Sequence, residues 1–363
     1  MKKYLVGGAV RDELLGIPNL DRDWVIVGAH IDDVTQTGLR LHNETFGIFV
    51  DDQTGDEFAL ARRERKTADG HRGFEVQNGV DISLEEDLKR RDFTINAIAQ
   101  SEDGTYVDPY GGRSDLDARW LRHVSPAFNE DPLRVWRGAR FLSHLSAFQF
   151  RVHPTTLIEL RKMTGFGEFT ELSSTRIWNE TKKLRGVNQL LSYISALEAF
   201  GVWRAYDIST GAIDESISLR DDDTSLLTDR HAALVCLRLH AVGGNALAVF
   251  STLGVPKKWL ELLDVTLRFA SHTWGGSNDA LELMDLFEAN DALRRPERSD
   301  LALTALTQCE NSEWVRTAER LDKGLQAARS VDLSSLQSER IPGKEKAHKA
   351  RIRRLEAINR TLK

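Results

Sequence analysis

The chain has 363 residues, of which 41% are hydrophobic and 29% charged, and its formal net charge at pH 7 is −6. This composition argues against a disordered chain, and the length favours a folded protein of two or more domains. The negative total also argues against a uniformly basic, nucleic-acid-binding surface, so any basic patch must be local.

The sequence carries no stretch that predicts export or membrane insertion. The apolar segment after Lys2 and Lys3 ends at Arg11, and the uncharged stretch at 241–256 is shorter than the ~18 residues that a membrane span requires. Cys236 and Cys309 lie far apart and match no metal-binding or redox spacing. We therefore expect a cytoplasmic protein without membrane association.

Strand and turn patterns are concentrated in the first third of the chain. Ser83 and Glu86 form the Ser-x-x-Glu pattern of a capping box, which predicts a helix that runs toward Arg91. The predicted strands in this region are 4–6, 21–27, 47–51, 57–61 and 105–107.

From Ser125 onward the strand patterns disappear, and apolar residues recur at helical spacing. We therefore expect an α+β protein with a mixed α/β head and an all-helical remainder. The predicted helices are 133–145, 155–163, 176–184, 190–200, 232–239, 258–269, 280–293 and 312–328.

A Gly-Gly pair, Gly7 and Gly8, follows the first predicted strand and precedes a predicted helix. Backbone N–H groups at a helix N-terminus bind anions, although a Gly pair alone more often marks a tight turn. Arg11 lies one turn into this helix and is suited to binding phosphate oxygens, with Asp12 as an alternative ion-pair partner. Together these residues indicate a phosphate-binding turn.

Two aspartates, Asp21 and Asp23, lie one residue apart on the second predicted strand. Side chains two residues apart in a strand share a face, so the carboxylates repel each other unless a cation lies between them. Mg²⁺ with substrate phosphates is one such cation, and the alternative is a structural network neutralised by Arg22. Beside a phosphate-binding turn, the pair predicts phosphoryl or nucleotidyl transfer, with Asp56 or Glu57 as candidate third carboxylates.

Three longer strings follow in a fixed order: EEDLKRRDFTINAIA at 85–99, VDPYGGRSDL at 107–116 and EDPLRVWRGARF at 130–141. With the turn and the aspartate pair, they resemble the class II tRNA nucleotidyltransferase and bacterial poly(A) polymerase superfamily, most closely its CCA-adding enzymes of proteobacterial type. The resemblance is strongest over residues 1–185. It implies a polymerase-β-like head at 1–124, followed by an all-α neck at 125–205, body at 206–300 and basic tail at 301–363.

The resemblance also implies a reaction and its site. The reaction is the addition of C, C and A to the 3′ end of tRNA, from CTP and ATP with Mg²⁺ as cofactor and release of pyrophosphate. Asp21 and Asp23 are the implied catalytic metal ligands. The implied nucleotide-binding residues are Gly8, Arg11, Arg91, Asp131, Arg134, Arg137 and Arg140.

Within this set, Asp131 and Arg134 are implied to select the base. A carboxylate accepts from the exocyclic amine of C or A, whereas G and U present a carbonyl at that position. Arg134 lies three residues on, at a spacing that shares a helix face with Asp131, and can donate to the adjacent ring acceptor. On local grounds alone, Asp131 before Pro132 also fits a helix N-cap.

Other features leave alternatives open. Arg90 and Arg91 also fit the C-terminal end of a helix, and Arg137 and Arg140 also fit exposed helix positions. The charged segment 62–76 resembles the family's mobile loop but also an ordinary exposed loop. Segment 173–184 resembles the neck, where we expect packing rather than chemistry.

The C-terminal half suggests RNA binding rather than a second activity. Residues 340–363 hold nine Lys and Arg against two Glu, which fits either a tRNA-binding tail or a solvated terminal helix. Because no histidine is followed by Asp, we expect no metal-dependent phosphohydrolase of the kind that some relatives carry. We expect a monomer that binds the tRNA acceptor arm, with a dimer as an alternative.

Three rival functions remain. A poly(A) polymerase and a partial CC- or A-adding enzyme share the fold, and a non-catalytic tRNA-binding protein represents another class. The EDPLR string favours ATP use, and the segment at 62–76 counts against CC-only addition. Residues 44–50 lack the doubled basic residue that we associate with poly(A) synthesis.

Overall fold

A computed structural model describes the chain except for residues 19–21, 67–73, 213–224, 273–278, 339 and 363. Asp21 and the middle of the segment at 62–76 therefore lie outside the described residues. The chain divides into two compact units, Met1–Arg176 with Ala196–Tyr206, and Ile177–Ser195 with Asp207–Lys363. The finer division into head, neck, body and tail stays a prediction.

The first unit contains a seven-stranded mixed sheet in the order β3-β4-β5-β2-β1-β8-β9. Only β2 and β5 pair in parallel among these neighbours. Two small sheets accompany it, antiparallel β6-β7 and parallel β10-β11. The strands are β1 Lys2–Val6, β2 Asp23–Val27, β3 Arg40–Asn43, β4 Ile48–Val50, β5 Glu57–Leu60, β6 Arg62–Lys66, β7 Phe74–Asn78, β8 Ala99–Ser101, β9 Tyr106–Val107, β10 Trp120–Leu121 and β11 Arg151–Val152.

Helices cover the sheet and form the rest of the described chain. Up to residue 206 they are α1 Gly8–Leu15, α2 Ile31–Thr35, α3 Leu84–Lys89, α4 Gly112–Asp117, α5 Leu133–His144, α6 Pro154–Met163, α7 Ser174–Thr181, α8 Gly186–Phe200 and α9 Val202–Ala205. Beyond it they are α10 Asp229–Ala241, α11 Ala246–Thr252, α12 Lys257–Ala270, α13 Asp279–Ala289, α14 Pro296–Gln308, α15 Ser312–Arg329, α16 Ser334–Ser338 and α17 Gly343–Leu362. In the residues that the structure describes, no helix is long and apolar enough to cross a membrane.

The central strand β2 is buried on both faces, because successive side chains point in opposite directions. Val25 belongs to one core cluster, which includes Val6 and Leu88 of α3. Ile26 belongs to the cluster on the other face, with Phe49 and the neighbouring strands β4 and β5. The face that carries Val25 and α3 is the one on which the candidate site lies.

The α+β prediction is confirmed, with a mixed-sheet head followed by helices. The capping box is also confirmed: Ser83 Oγ accepts from the N–H of Glu86 at 3.2 Å, and the Glu86 carboxylate accepts from the N–H of Ser83 at 3.0 Å. The interpretation of 62–76 as a loop is wrong at both ends, because β6 and β7 pair there in antiparallel register from Arg62–Asn78 to Lys66–Phe74.

Candidate active site

The Gly-Gly turn has the conformation and the space of a binding turn. Gly7 has φ 73°, a value that favours glycine, and α1 begins at Gly8. A Cβ on Gly7 would lie 3.1 Å from Nη1 of Arg91. The fold therefore brings Arg91 directly against the turn, although the two residues are 84 positions apart in the chain.

The described carboxylates of the predicted metal site lie beside this turn. Asp23 is the exposed first residue of β2 and pairs in register with Val6, the residue before Gly7. On its other side it pairs in register with Glu57 of β5. Paired residues of neighbouring strands project to the same face, so the side chains of Asp23 and Glu57 share one face of the sheet.

The pairing register of β2 and β5 distinguishes between Asp56 and Glu57, the two candidates for a third metal-binding carboxylate. Asp56 precedes Glu57 and projects to the opposite face, where its Oδ2 accepts from Nε1 of Trp24 at 3.1 Å. Asp21 lies outside the described residues, and the described ones contain no group of three or more His, Cys, Asp or Glu that could hold a metal ion. Of the two candidates, only Glu57 lies on the same face of the sheet as Asp23 and can join it in a metal site.

Arg11 is buried rather than open to a ligand. Its guanidinium donates to Oδ1 of Asp12, from Nε at 2.8 Å and from Nη2 at 2.7 Å, and to Oδ1 of Asn96, from Nη1 at 2.7 Å. The ion pair with Asp12, which the sequence offered as an alternative to phosphate binding, is thus present. In this arrangement Arg11 has a structural role, because its guanidinium holds Asp12 and Asn96.

The same contacts continue across to α5. Asn96 donates from Nδ2 to Oδ1 of Asp92 at 3.1 Å, and Oδ2 of Asp92 accepts from Arg137 at 2.6 and 2.8 Å. Burial alone would raise the pKa of Asp92, but the Arg137 guanidinium, the Asn96 amide and the charge of Arg134 hold it well below its usual range. A continuous polar network therefore connects α1 to α5.

The predicted base-selecting pair is held by other parts of the same unit. Asp131 precedes α5, and its Oδ1 accepts from the N–H of Leu133 at 3.0 Å, which is the helix-start role expected on local grounds. Both of its carboxylate oxygens also accept from Nη2 of Arg176, at 3.0 and 3.1 Å. Arg134 donates from Nη1 to the carbonyl of Ala127 at 2.9 Å and from Nη2 to that of Arg90 at 2.7 Å.

Three of the predicted nucleotide-binding arginines surround one aromatic ring. The guanidinium carbons of Arg11, Arg137 and Arg140 lie 5.3, 5.4 and 4.1 Å from the ring centroid of Phe141. The negative face of an aromatic ring attracts such cations. Phe141, itself buried, therefore helps to keep three like charges close together.

Sequence reasoning missed three residues that organise this site: Asn96, Phe141 and Arg176. Each lies inside a segment that resembles the family, but each also contacts a partner far away in the chain, which is Arg11 for Asn96 and Phe141 and Asp131 for Arg176. Arg176 was assigned to packing, yet it contacts the carboxylate of Asp131, which is 45 positions away. Only the folded chain brings these partners together.

Some of the basic residues of helix α17 form contacts within the second unit. Arg351 forms ion pairs with Asp285 and Glu288 of α13, and Arg353 donates to Oγ of Ser335 at 2.8 Å. Ile358 is fully buried. This helix is therefore packed against its own unit as well as basic.

Comparisons with known proteins bear on the fold of this chain and on its family. The family model described as the poly A polymerase head domain matches residues 3–122. The CCA-adding enzyme of Coxiella burnetii is 36% identical over 363 residues, covering 100% of this chain and 96% of that protein. The similarity thus extends well beyond the first 185 residues, where the sequence motifs are concentrated.

Two solved structures share the fold. The Bacillus stearothermophilus CCA-adding enzyme in complex with CTP has a TM-score of 0.61 at 23% identity, covering 99% of this chain and 89% of that one. A tRNA nucleotidyltransferase complexed with a primer tRNA and an incoming ATP analog has a TM-score of 0.54 at 27% identity, covering 90% and 95%. With the full-length identity to the Coxiella protein, these findings show that this chain belongs to the CCA-adding enzymes, the nucleotidyltransferases that add C, C and A to the 3′ end of tRNA.

Proposed function

We propose that the α3 face of the sheet, at the Gly7-Gly8 turn, is where this chain binds CTP or ATP and transfers the nucleotide to the tRNA 3′-hydroxyl. The observation that carries the proposal is the register: Val6, which leads into the turn, pairs with Asp23, and Asp23 pairs with Glu57. This register supports a carboxylate site beside a helix N-terminus suited to phosphate, and the approach of Arg91 to Gly7 supports phosphate binding there. The cytoplasm is the compartment that we propose for this reaction.

The residues present fit Mg²⁺, which takes oxygen ligands and keeps part of its coordination for water and substrate phosphates. We propose Asp21, Asp23 and Glu57 as its protein ligands, since Asp23 and Glu57 are both exposed and pair in register on one face of the sheet. When bound, the ion supplies charge for the phosphates and acidifies the attacking hydroxyl. Gly8, through its backbone at the start of α1, and Arg91 are proposed to bind the phosphates.

Base selection is proposed to reside at the start of α5, on Asp131 just before the helix and Arg134 in its first turn. A carboxylate such as that of Asp131 offers about four acceptor positions, and among the described residues the N–H of Leu133 and the guanidinium of Arg176 make three contacts with it. The remaining position is proposed to accept from the exocyclic amine of C or A, while the carbonyl of G or U would meet the same oxygen unfavourably. Arg134 is held within hydrogen-bond distance of the Arg90 carbonyl, beside Arg91, so one short segment supports both base and phosphate contacts.

Arg137 and Arg140 are proposed to contribute positive charge around the nucleotide, while Arg11, which is buried and paired with Asp12, is proposed to support them through the polar network that reaches Asp92. Their shared contact with the Phe141 ring keeps them together, and Asp92 neutralises part of that charge.

Helix α17 is proposed to contact the phosphates of tRNA, which predicts that the affinity for tRNA falls as the salt concentration rises. A monomer is proposed to suffice, because the proposed carboxylates and arginines all belong to the first compact unit of the chain.

The experiment that tests base selection measures incorporation of each of the four nucleotides into a tRNA transcript that lacks its 3′ CCA. We expect CTP and ATP to be used in turn by the native chain and UTP and GTP to be rejected. Asp131→Ala is expected to lose most of this discrimination. An unchanged preference in a folded Asp131→Ala variant contradicts the proposed role.

A further inference from the structure

One buried carboxylate in the first unit has no place in the site described so far. Asp87 of α3 is completely buried. Its Oδ1 accepts from Nε and Nη2 of Arg90 at 3.1 and 2.9 Å and from the N–H of Arg62 at 3.3 Å. Its Oδ2 accepts from Nη2 of Arg91 at 3.3 Å. Among the described residues, this carboxylate therefore contacts Arg91, its neighbour Arg90 and the start of β6.

Arg91 depends on that contact for its orientation. Its Nη1 lies beside Gly7 and 3.4 Å from the carbonyl of Asn96, and its Nε is buried without a hydrogen-bond partner among the described residues. The contact with Asp87 is its only ion pair in the part of the chain that the structure describes. Without that carboxylate, a weak contact with a carbonyl would be left to hold the guanidinium.

The charges lead to the same conclusion. Arg90 and Arg91 are adjacent cations that share one carboxylate, and two half-buried guanidinium groups repel each other when no anion lies between them. Burial alone would raise the pKa of Asp87, but the charges of the two arginines hold it below its usual range. The carboxylate is therefore ionised at neutral pH and neutralises the pair.

Asp87 also joins two further parts of the site. Arg62, whose N–H it binds, is the first residue of β6 and begins the β6-β7 ladder. Arg90, whose guanidinium it binds, provides the carbonyl that accepts from Arg134. The Asp87 side chain thus contacts Arg91, which we propose to bind the phosphates, and Arg90, whose carbonyl holds Arg134. It also contacts Arg62, the first residue of β6.

We propose that Asp87 is a positioning residue for nucleotide binding, which holds Arg91 against the Gly7-Gly8 turn and ties the start of β6 to the same point. It does not touch the substrate. The inference rests on the proposed function, in which Arg91 binds the incoming nucleotide. It predicts that the effect of Asp87 on the reaction is transmitted through Arg91.

The test compares Asp87→Asn with Asp115→Asn, in the wild-type chain and in an Arg91→Ala background. Asp115 is a matched control because it is a buried carboxylate of the same unit that accepts from Arg122 and from Thr94 but contacts none of the proposed site arginines. The measurements are kcat and KM for CTP and ATP on tRNA transcripts, with the thermal unfolding midpoint of each variant.

We expect Asp87→Asn to raise the nucleotide KM by about tenfold while kcat changes by less than about twofold, because binding rather than chemistry is weakened. In the Arg91→Ala background the same substitution should raise KM no further. Asp115→Asn should lower the unfolding midpoint without raising KM. If Asp87→Asn does not fold, Asp87→Glu, which keeps the charge and displaces it, should raise KM by about threefold.

An unchanged KM in folded Asp87→Asn or Asp87→Glu overturns the inference. So does an equal rise in KM in both backgrounds, or an equal rise in Asp115→Asn, which would indicate a general loss of stability. The Arg91→Ala single variant separates this failure from that of the proposed function. If Arg91→Ala leaves KM unchanged, the nucleotide-binding role of Arg91 is wrong; if it raises KM while Asp87→Asn does not, the positioning role alone is wrong.

Discussion

Arg176 donates from Nη2 to both carboxylate oxygens of Asp131, at 3.0 and 3.1 Å, and so fixes the plane of the carboxylate that we propose to select the base. The side chains of the two residues are about one quarter exposed, so the ion pair is partly shielded from water. A carboxylate held in this way presents a defined acceptor to an incoming base, whereas a freely rotating one would accept from many directions.

We expect Arg176→Gln to reduce discrimination against UTP by about tenfold, because Asp131 then loses the partner that orients it. The measurement is the ratio of kcat/KM for CTP and UTP on a transcript that lacks CCA. Arg161→Gln is the control, since Arg161 donates to the carbonyl of Ala199 in the same unit and contacts neither base-selecting residue. A wild-type ratio in Arg176→Gln contradicts the orienting role.

The sheet register predicts unequal effects for three carboxylates. Asp23→Asn should lower incorporation by more than about a hundredfold, and Glu57→Gln should lower it less but raise the Mg²⁺ concentration required for half-maximal activity. Asp56→Asn should retain nearly full activity, because Asp56 lies on the other face with Trp24. Mg²⁺ titrations of the three variants check this, and a larger effect of Asp56→Asn than of Glu57→Gln would show that the assignment by register is wrong.

Two glycines with positive φ, Gly7 and Gly16, separate the effect of backbone strain from that of crowding at the site. Gly16 is left-handed, with φ 69° and ψ 23°, so Gly16→Ala should cost about 1 kcal/mol of folding stability. Gly7 has φ 73° and ψ −130°, a region that essentially only glycine occupies, so Gly7→Ala should cost more, about 1–3 kcal/mol. Only at Gly7 would the new Cβ approach Arg91, at 3.1 Å, while no atom of the described residues lies within 4 Å of a Cβ at Gly16. We expect both variants to have lower unfolding midpoints, but a raised nucleotide KM for Gly7→Ala alone. Equal KM values for the two variants would argue against a nucleotide site at the turn.

Acid should destabilise the first unit through Asp92. The pKa of Asp92 is lower in the folded state than its ordinary value, so the folded state is favoured above about pH 4, and this contribution is lost as the pH falls below it. Asp92→Asn should therefore cost about 1–3 kcal/mol at neutral pH, because Arg137 loses its partner. Urea unfolding of both proteins between pH 7 and pH 2.5 measures the difference. The difference in free energy of unfolding between the two proteins should shrink on acidification. A difference that does not change with pH would contradict the role of Asp92.

The sequence predicted those elements that have strong local patterns. The Ser83 capping box and helix α15 follow directly from spacing, and both are present. The strands β6 and β7 were missed because all five residues of β6 are charged and the charged segment that leads into β7 reads as a loop. Helix α14 was missed because its first turn, Pro-Glu-Arg-Ser, is polar and its apolar positions begin only at Leu301.

The site was only partly predictable, for a physical reason. Asp21-x-Asp23 and the Gly-Gly turn depend on local geometry, so the sequence alone indicates them. The choice between Asp56 and Glu57 depends on strand register, and the contact of Arg176 with Asp131 depends on packing between distant segments. Neither relationship is encoded in any short spacing.

The most direct test of the account is a product-length measurement on three tRNA transcripts, ending before CCA, at CC and at CCA, each incubated with Mg²⁺ and one nucleotide at a time. The native chain should add two residues from CTP to the first transcript, one from ATP to the second and none to the third, and Asp23→Asn should add none. Long A tails would contradict the assignment as a CCA-adding enzyme, and undiminished addition by the folded Asp23→Asn variant would contradict the proposed metal site.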